Sequence, residues 1–415
     1  MRTARQVIVA LLVGGLFGVP PLFGQTTSDW VGVWRLFFKE NPEATAYWVI
    51  SSENAKISIQ QYDATWRSEN VTVTNVNGTS LSATYHGRGY KLLMTVTMQG
   101  DRFSGTSNLV HVQYKKEEPI SGVRVVKTNH WDPLEGIRKL EDPAGVADVS
   151  SALRKAALGM APQKFIAAWD SEIGGPYYVF LDQLWDPDPA QKSEKLRRLY
   201  RILRSNQFAE NVKTTLALRA QVVKLIKDKQ SSFYFANPTV VLPSLGSADV
   251  SAMDLTSGKI HIKMEVPAQL ASADRPRLKW LIAREQIKLG FLLRFPLQLR
   301  TTPIDLIRMG ISGYLAADLL GISLPDLLNV TAPKVQESLA HLDAYRKAMA
   351  NGGNGGIERI NLASAGDPLA GQQIAELVCY KFGEQVASRF KVEELAKLER
   401  TRLLELANNF LHPGS

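Results

Sequence analysis

The chain has 415 residues, 45% hydrophobic and 21% charged, a balance that excludes a disordered or low-complexity protein and leaves room for two or three domains with their own cores. A formal net charge of +9 admits acidic partners, while the single cysteine, Cys379, excludes an internal disulfide and a thiolate zinc site. Cys379 stands between Val378 and Tyr380, a setting that predicts a buried thiol rather than a nucleophile.

The first 24 residues read as a secretory signal: Arg2 and Arg5 precede an apolar run from Val7 to Phe17, and Pro20 and Pro21 break it before the small residue Gly24. Loss of this segment lowers the charge from +9 to +7. No later segment reaches membrane-spanning length and no cysteine follows to carry a lipid anchor, so the expected product is exported, periplasmic or secreted, and soluble after signal removal.

Residues 29–126 read as all-β. Ile57 and Ile59 alternate with polar neighbours, as do Val71 and Val73, and Met94, Val96 and Met98. Asn77-Gly78 and Gly100-Asp101 separate such runs and predict hairpin turns. Seven or eight strands at this spacing make a small barrel or a sandwich. The opening Trp30-Val31-Gly32-Val33-Trp34 resembles the first strand of lipocalin-type barrels, in which a tryptophan plugs one end. That resemblance implies a possible small apolar ligand among Trp34, Tyr47, Trp48, Trp66, Tyr85 and Tyr90; the competing reading is that these rings simply fill the core.

A linker is expected over residues 127–149, followed by a mainly helical domain with a small sheet over 150–411, for an α+β chain of two domains. Asp186-Pro187-Asp188-Pro189 marks a helix entry. From Lys192 to Lys229, eleven Lys or Arg stand against Glu194, Glu210 and Asp228, which could attract an acidic polymer or anionic lipid. Leu196, Leu199, Tyr200 and Leu203 keep helical spacing there, so the basic residues read equally as the solvated face of packed helices. Short strands follow at Thr239–Leu242 and Lys259–Glu265, then a helix over Arg277–Arg294 and another over Pro303–Leu320. Residues 351–356 read as a flexible loop, and one or two helices close the chain between Gly371 and Phe410.

Three motifs in this half carry the chemistry: Ala283-Arg284-Glu285-Gln286-Ile287-Lys288, Met309-Gly310-Ile311-Ser312-Gly313-Tyr314, and Tyr380-Lys381-Phe382-Gly383. In order and spacing they resemble a gluzincin-like family of predicted zinc-dependent peptidases. The resemblance implies that Glu285 holds the general-base position, that Ala283, Gly310, Tyr380 and Gly383 frame the cleft, and that Arg284, Lys288 and Met309 stand at the three vestigial zinc-ligand positions. Arginine has no lone pair to give, lysine is protonated at neutral pH, and methionine is a weak, soft donor, so no metal and no cofactor are expected. The remaining histidines offer no pair at ligand spacing.

Arg284 and Lys288, four apart, share a helical face, and a cation pair there could satisfy Glu285 together with Asp305. The duller alternative is a helix rotated to send both cations to solvent. The leading functional expectation is an exported, catalytically inactive peptidase homologue that binds a peptide or partner protein in the old cleft. A metal-dependent hydrolase with an unorthodox site around Glu285 is the alternative, and an envelope- or lipid-binding protein acting through Lys192–Lys229 is a further one. No nucleic-acid partner is expected.

Overall fold

The computed structural model describes residues 27–413 except 40–45, 55, 64–67, 88–89, 112–114, 130–131, 133, 185, 187, 256–258, 293, 296–300, 352–368 and 370. The proposed signal at 1–24, Trp66, and all but the first residue of the glycine-rich loop at 351–356 lie outside the described residues. The chain forms two compact units, one up to Trp131 and one from Asp132.

The first unit is a closed barrel of eight antiparallel strands in sequence order: β1 (Gly32–Phe38), β2 (Ala46–Glu53), β3 (Lys56–Asp63), β4 (Ser68–Asn77), β5 (Ser80–Gly87), β6 (Tyr90–Gln99), β7 (Arg102–His111) and β8 (Lys115–Val126). Closure removes every free strand edge. The two-residue period decides which side chains go inside: Trp34 and Leu36, Ile57 and Ile59, and Met94, Val96 and Met98 share one core. The first hairpin turn falls at Gly78, whose φ of +54° suits glycine, with Asn77 paired to Ser80 as the last strand residue. Gly100, at φ +61°, makes the second.

Trp30 closes one end of the barrel core. It is fully buried and donates its indole N–H to the Gly78 carbonyl at 3.0 Å, while Trp34 donates to the Trp30 carbonyl at 2.8 Å. Phe103 lies 5.4 Å from Trp34 and stacks on Trp48 at 5.5 Å. Its cross-strand neighbour is Gly122, where an added Cβ would lie 2.3 Å from the Phe103 ring. Arg124 completes this end, its guanidinium 4.5 Å over the Trp34 ring and paired with Asp101 at 3.1 Å. Burial pulls the Arg124 pKa below its ordinary value despite Asp101 and Asp29.

The second unit is mainly helical around a four-stranded sheet, ordered β11 (Asp249–Leu255), β12 (Lys259–Val266), β10 (Thr239–Pro243), β9 (Val146–Asp148). β9, β10 and β12 run parallel and β11 is the antiparallel edge. The sequence patterns indicate only β10 and β12. β9 is three residues long and falls, with a helix over Glu135–Leu140, inside the stretch expected as a linker. β11 carries Ala252 and Met253 side by side and so shows no clean alternation.

The helices that position the site and its surroundings are α1 (Val149–Gly159), α2 (Pro189–Arg204), α3 (Asn206–Lys229), α4 (Arg275–Leu292), α5 (Ser312–Leu320), α6 (Gly371–Ala387) and α7 (Arg400–Leu411). Asp188 caps α2 by accepting from Ala190 N–H at 2.8 Å, with Pro189 at the first helical position. Leu196, Leu199, Tyr200 and Leu203 are buried, and Lys192, Lys195, Arg197, Arg201, Lys213 and Lys224 make ion pairs with acidic residues of the same unit. The basic helices therefore pack by their apolar stripe. No helix among the described residues is long and apolar enough to cross a membrane.

Candidate functional site

α4 is a central helix. Leu278 and Trp280 through Ile287 are all buried, so it has no solvent face over its middle turns. Consecutive buried residues Arg284, Glu285 and Gln286 are the exception to an apolar interior, and such groups must be paired to be tolerated. Gln286 donates to the Phe235 carbonyl at 2.6 Å.

Glu285 is 1% exposed and both its oxygens are fully engaged. Oε1 accepts from Arg284 Nε at 3.1 Å and Nη2 at 2.9 Å. Oε2 forms the ion pair with Lys288 and accepts the backbone N–H of Ala252 on β11 at 3.1 Å. Burial alone would raise the Glu285 pKa, but Lys288 and Arg284 outweigh it and hold the carboxyl below its ordinary range. Burial likewise works against the Arg284 charge, yet Glu285, then Glu376 and Asp249, lift its pKa above the usual value. The Arg284 guanidinium also lies 4.7 Å over the Trp280 ring, and Trp280 is locked by donating its indole N–H to the Gly313 carbonyl at 2.8 Å.

Arg284 and Lys288 thus face inward together, with side chains only 10% and 12% exposed, and a helix that sends both cations to solvent is ruled out. Among the described residues their shared ion-pair partner is Glu285. Asp305, expected to share them, is instead 2% exposed and ion-paired with Arg308 one turn along. The correction follows from local geometry: Asp305 and Arg308 are three apart in a helical stretch, the spacing at which side chains meet on one face.

Asp305 ends a short helix, Thr302–Asp305, which continues through a π-helical turn at Leu306–Ile311 into α5. That turn holds Met309 and Gly310. Gly310 meets α6 backbone to backbone: a Cβ there would stand 2.7 Å from the Cys379 carbonyl oxygen. Gly383 answers it, since its Cβ would stand 2.2 Å from the Gly310 carbonyl oxygen. The two glycines let the π-turn and α6 touch, and this contact brings Tyr380 to the site. Tyr380 meets Tyr314 edge to face at 5.3 Å, and burial, with Glu384 nearby, pushes its pKa up to about 12. Ala283, the remaining framework residue, is fully buried on α4.

These elements enclose a cavity of about 710 Å³, within the size range of small-ligand sites. Arg284, Glu285, Lys288, Met309 and Tyr380 all line it, so three motifs spread over nearly a hundred residues converge on one space. The wall also includes residues the motifs do not predict. Asp249, Val250 and Ser251 come from β11, Trp280 from α4, and Glu376 and Cys379 from α6. Glu376 takes a two-pronged bond from Arg277, at 2.8 and 3.2 Å. Trp280 lies one turn before Arg284 and is findable by helical spacing; Arg277 and Glu376 are 99 residues apart and no local pattern joins them.

Zinc does not fit this donor set. Of the three positions that the resemblance assigns to ligands, two carry cations already engaged with Glu285 and the third carries a thioether. Among the described residues no group of three His, Cys, Asp or Glu side chains is placed to hold a metal. Compared with known proteins, the chain matches no family model, no curated sequence and no solved structure.

Proposed function

We propose that this protein is an exported binding protein in which a peptidase-like cleft holds a peptide or a segment of a partner protein without cleaving it. The observation that carries the reading is the state of Glu285. A general base needs a free lone pair aimed at a water and a pKa near the working pH. Glu285 has both oxygens taken by four donors, is shut from solvent, and is held more acidic than usual. The space itself supports a binding role, because the cleft stays open at about 710 Å³ while its chemistry is clamped. The edge strand β11 lends Asp249, Val250 and Ser251 to the cavity wall.

The test combines zinc stoichiometry with peptide binding and hydrolysis on the purified chain after equilibration with excess zinc. Saturable peptide binding, no tightly held zinc and no turnover is the expected result. About one tightly held zinc per chain, with hydrolysis abolished in Glu285→Gln, would overturn the reading in favour of a metal-dependent hydrolase.

A further inference from the structure

The cavity wall holds more hydrogen-bond donors than its own carboxylate uses. A guanidinium has five N–H groups and an ammonium three. Arg284 gives two of its five to Glu285 and Lys288 gives one of its three, leaving donors on both side chains that no other group among the described residues accepts. Both side chains line the cavity.

The charges around these donors are nearly matched. Arg284 and Lys288 carry two positive charges against one negative charge on Glu285. Glu376, the second largely buried carboxylate of the wall, is neutralised by Arg277 through its two bonds. The remaining lining carboxylate, Asp249, is exposed at the start of β11 and acts on Arg284, so cations and carboxylates balance, and the spare donors rather than a net charge are what a ligand would meet. Tyr380 adds a neutral hydroxyl that stays protonated across the physiological range. Gly371 and Gln372, the first residues of the 17-residue helix α6, also line the space, and the N-terminal end of a helix favours negative charge. The rest of the lining is largely apolar: Trp280, Met309, Leu327 and Ala375.

We infer that the cavity receives a carboxylate of a peptide ligand, seated on the unused donors of Arg284 and Lys288, with an adjoining apolar side chain against Trp280 and Leu327. This rests on the peptide-binding reading and specifies the ligand that reading leaves open. The carboxylate could be a free C-terminus or an acidic side chain, which share the same chemistry.

The experiment uses the full chain and three probes: acetyl-leucyl-phenylalanine with a free C-terminus, its C-terminal amide, and acetyl-aspartyl-phenylalanine amide. Binding is read by calorimetry and by tryptophan fluorescence, since Trp280 lies beneath Arg284. The free acid should bind at least about tenfold more tightly than its amide, the range of a hydrogen bond to a charged group. Lys288→Gln, which keeps a donor for Glu285, should bring that ratio toward one. Preference for the aspartyl amide over the leucyl amide would assign the carboxylate to a side chain, and no such preference would assign it to the C-terminus. Equal binding of all three probes by the unmodified chain would overturn the inference and leave the peptide reading standing. If no peptide binds, yet acetate at constant ionic strength raises the Tm of the native chain and not of Lys288→Gln, the anion site stands and the peptide reading falls. Absence of both effects would remove the two together.

Discussion

At the scale of single residues, Glu285 is the group on which the site turns. Removing one member of a buried, charge-paired cluster leaves the others uncompensated, which costs about 3–5 kcal/mol. Glu285→Gln is expected to lose stability in that range at neutral pH, measured by urea unfolding. The pH dependence has a defined sign. The ordinary carboxyl pKa here is 4.5 and the folded value lies below it, so the Glu285 contribution is whole above pH 4.5 and disappears as pH falls through the folded value. Below pH 4.5 the native chain should therefore lose stability more steeply than Glu285→Gln, and the gap between the two should narrow. Equal slopes would mean that Glu285 is not held ionised. Much of this cluster is legible in the sequence: an i, i+4 pair of cations around a glutamate must lie on one helical face. The helix's burial on all sides is not legible, because Arg284, Glu285, Gln286 and Lys288 read as a polar stripe until the partners from β11 and α6 are known.

At the scale of elements, the contact between the π-turn and α6 depends on two absent side chains. Alanine is a better helix former than glycine by about 1 kcal/mol, so Gly383→Ala would stabilise an isolated helix. In this chain the new Cβ would sit 2.2 Å from a backbone oxygen, a clash that flexible side chains cannot absorb. Gly383→Ala is expected to be net destabilising by about 1–3 kcal/mol. Gly159→Ala at the end of α1, where nothing lies within 4 Å, should be neutral or mildly stabilising. Thermal melts of the two variants check the pair, and similar Tm values would refute the close approach. Element type is legible where the period is clean, as along β6, whose Met94, Val96 and Met98 point inward. It is not legible at β9 or β11, because a three-residue strand carries too little pattern and β11 takes its place from its partner β12 and from the Ala252–Glu285 bond. The π-turn at Leu306–Ile311 has the sequence of ordinary helix, since a locally widened turn leaves no mark in composition.

At the scale of the whole molecule, every residue lining the cavity lies beyond Asp132, within one of the two compact units. A chain beginning at Asp132 is expected to keep the peptide affinity of the full protein within about threefold by calorimetry, a difference of under about 1 kcal/mol. A larger loss would assign the barrel a share in binding. The barrel presents no open strand edge, whereas the sheet of the second unit ends at β11, whose Ala252 N–H is already taken by Glu285. An unpaired backbone N–H on an edge strand is a template for a strand of another molecule. Glu285, by occupying that donor from within, would keep it from pairing with another copy. Glu285→Ala should accordingly form intermolecular β-sheet, seen by thioflavin binding and infrared spectra, faster than Gly383→Ala at matched loss of stability. A buried carboxylate that neutralises two cations would then also serve to keep copies of this protein apart.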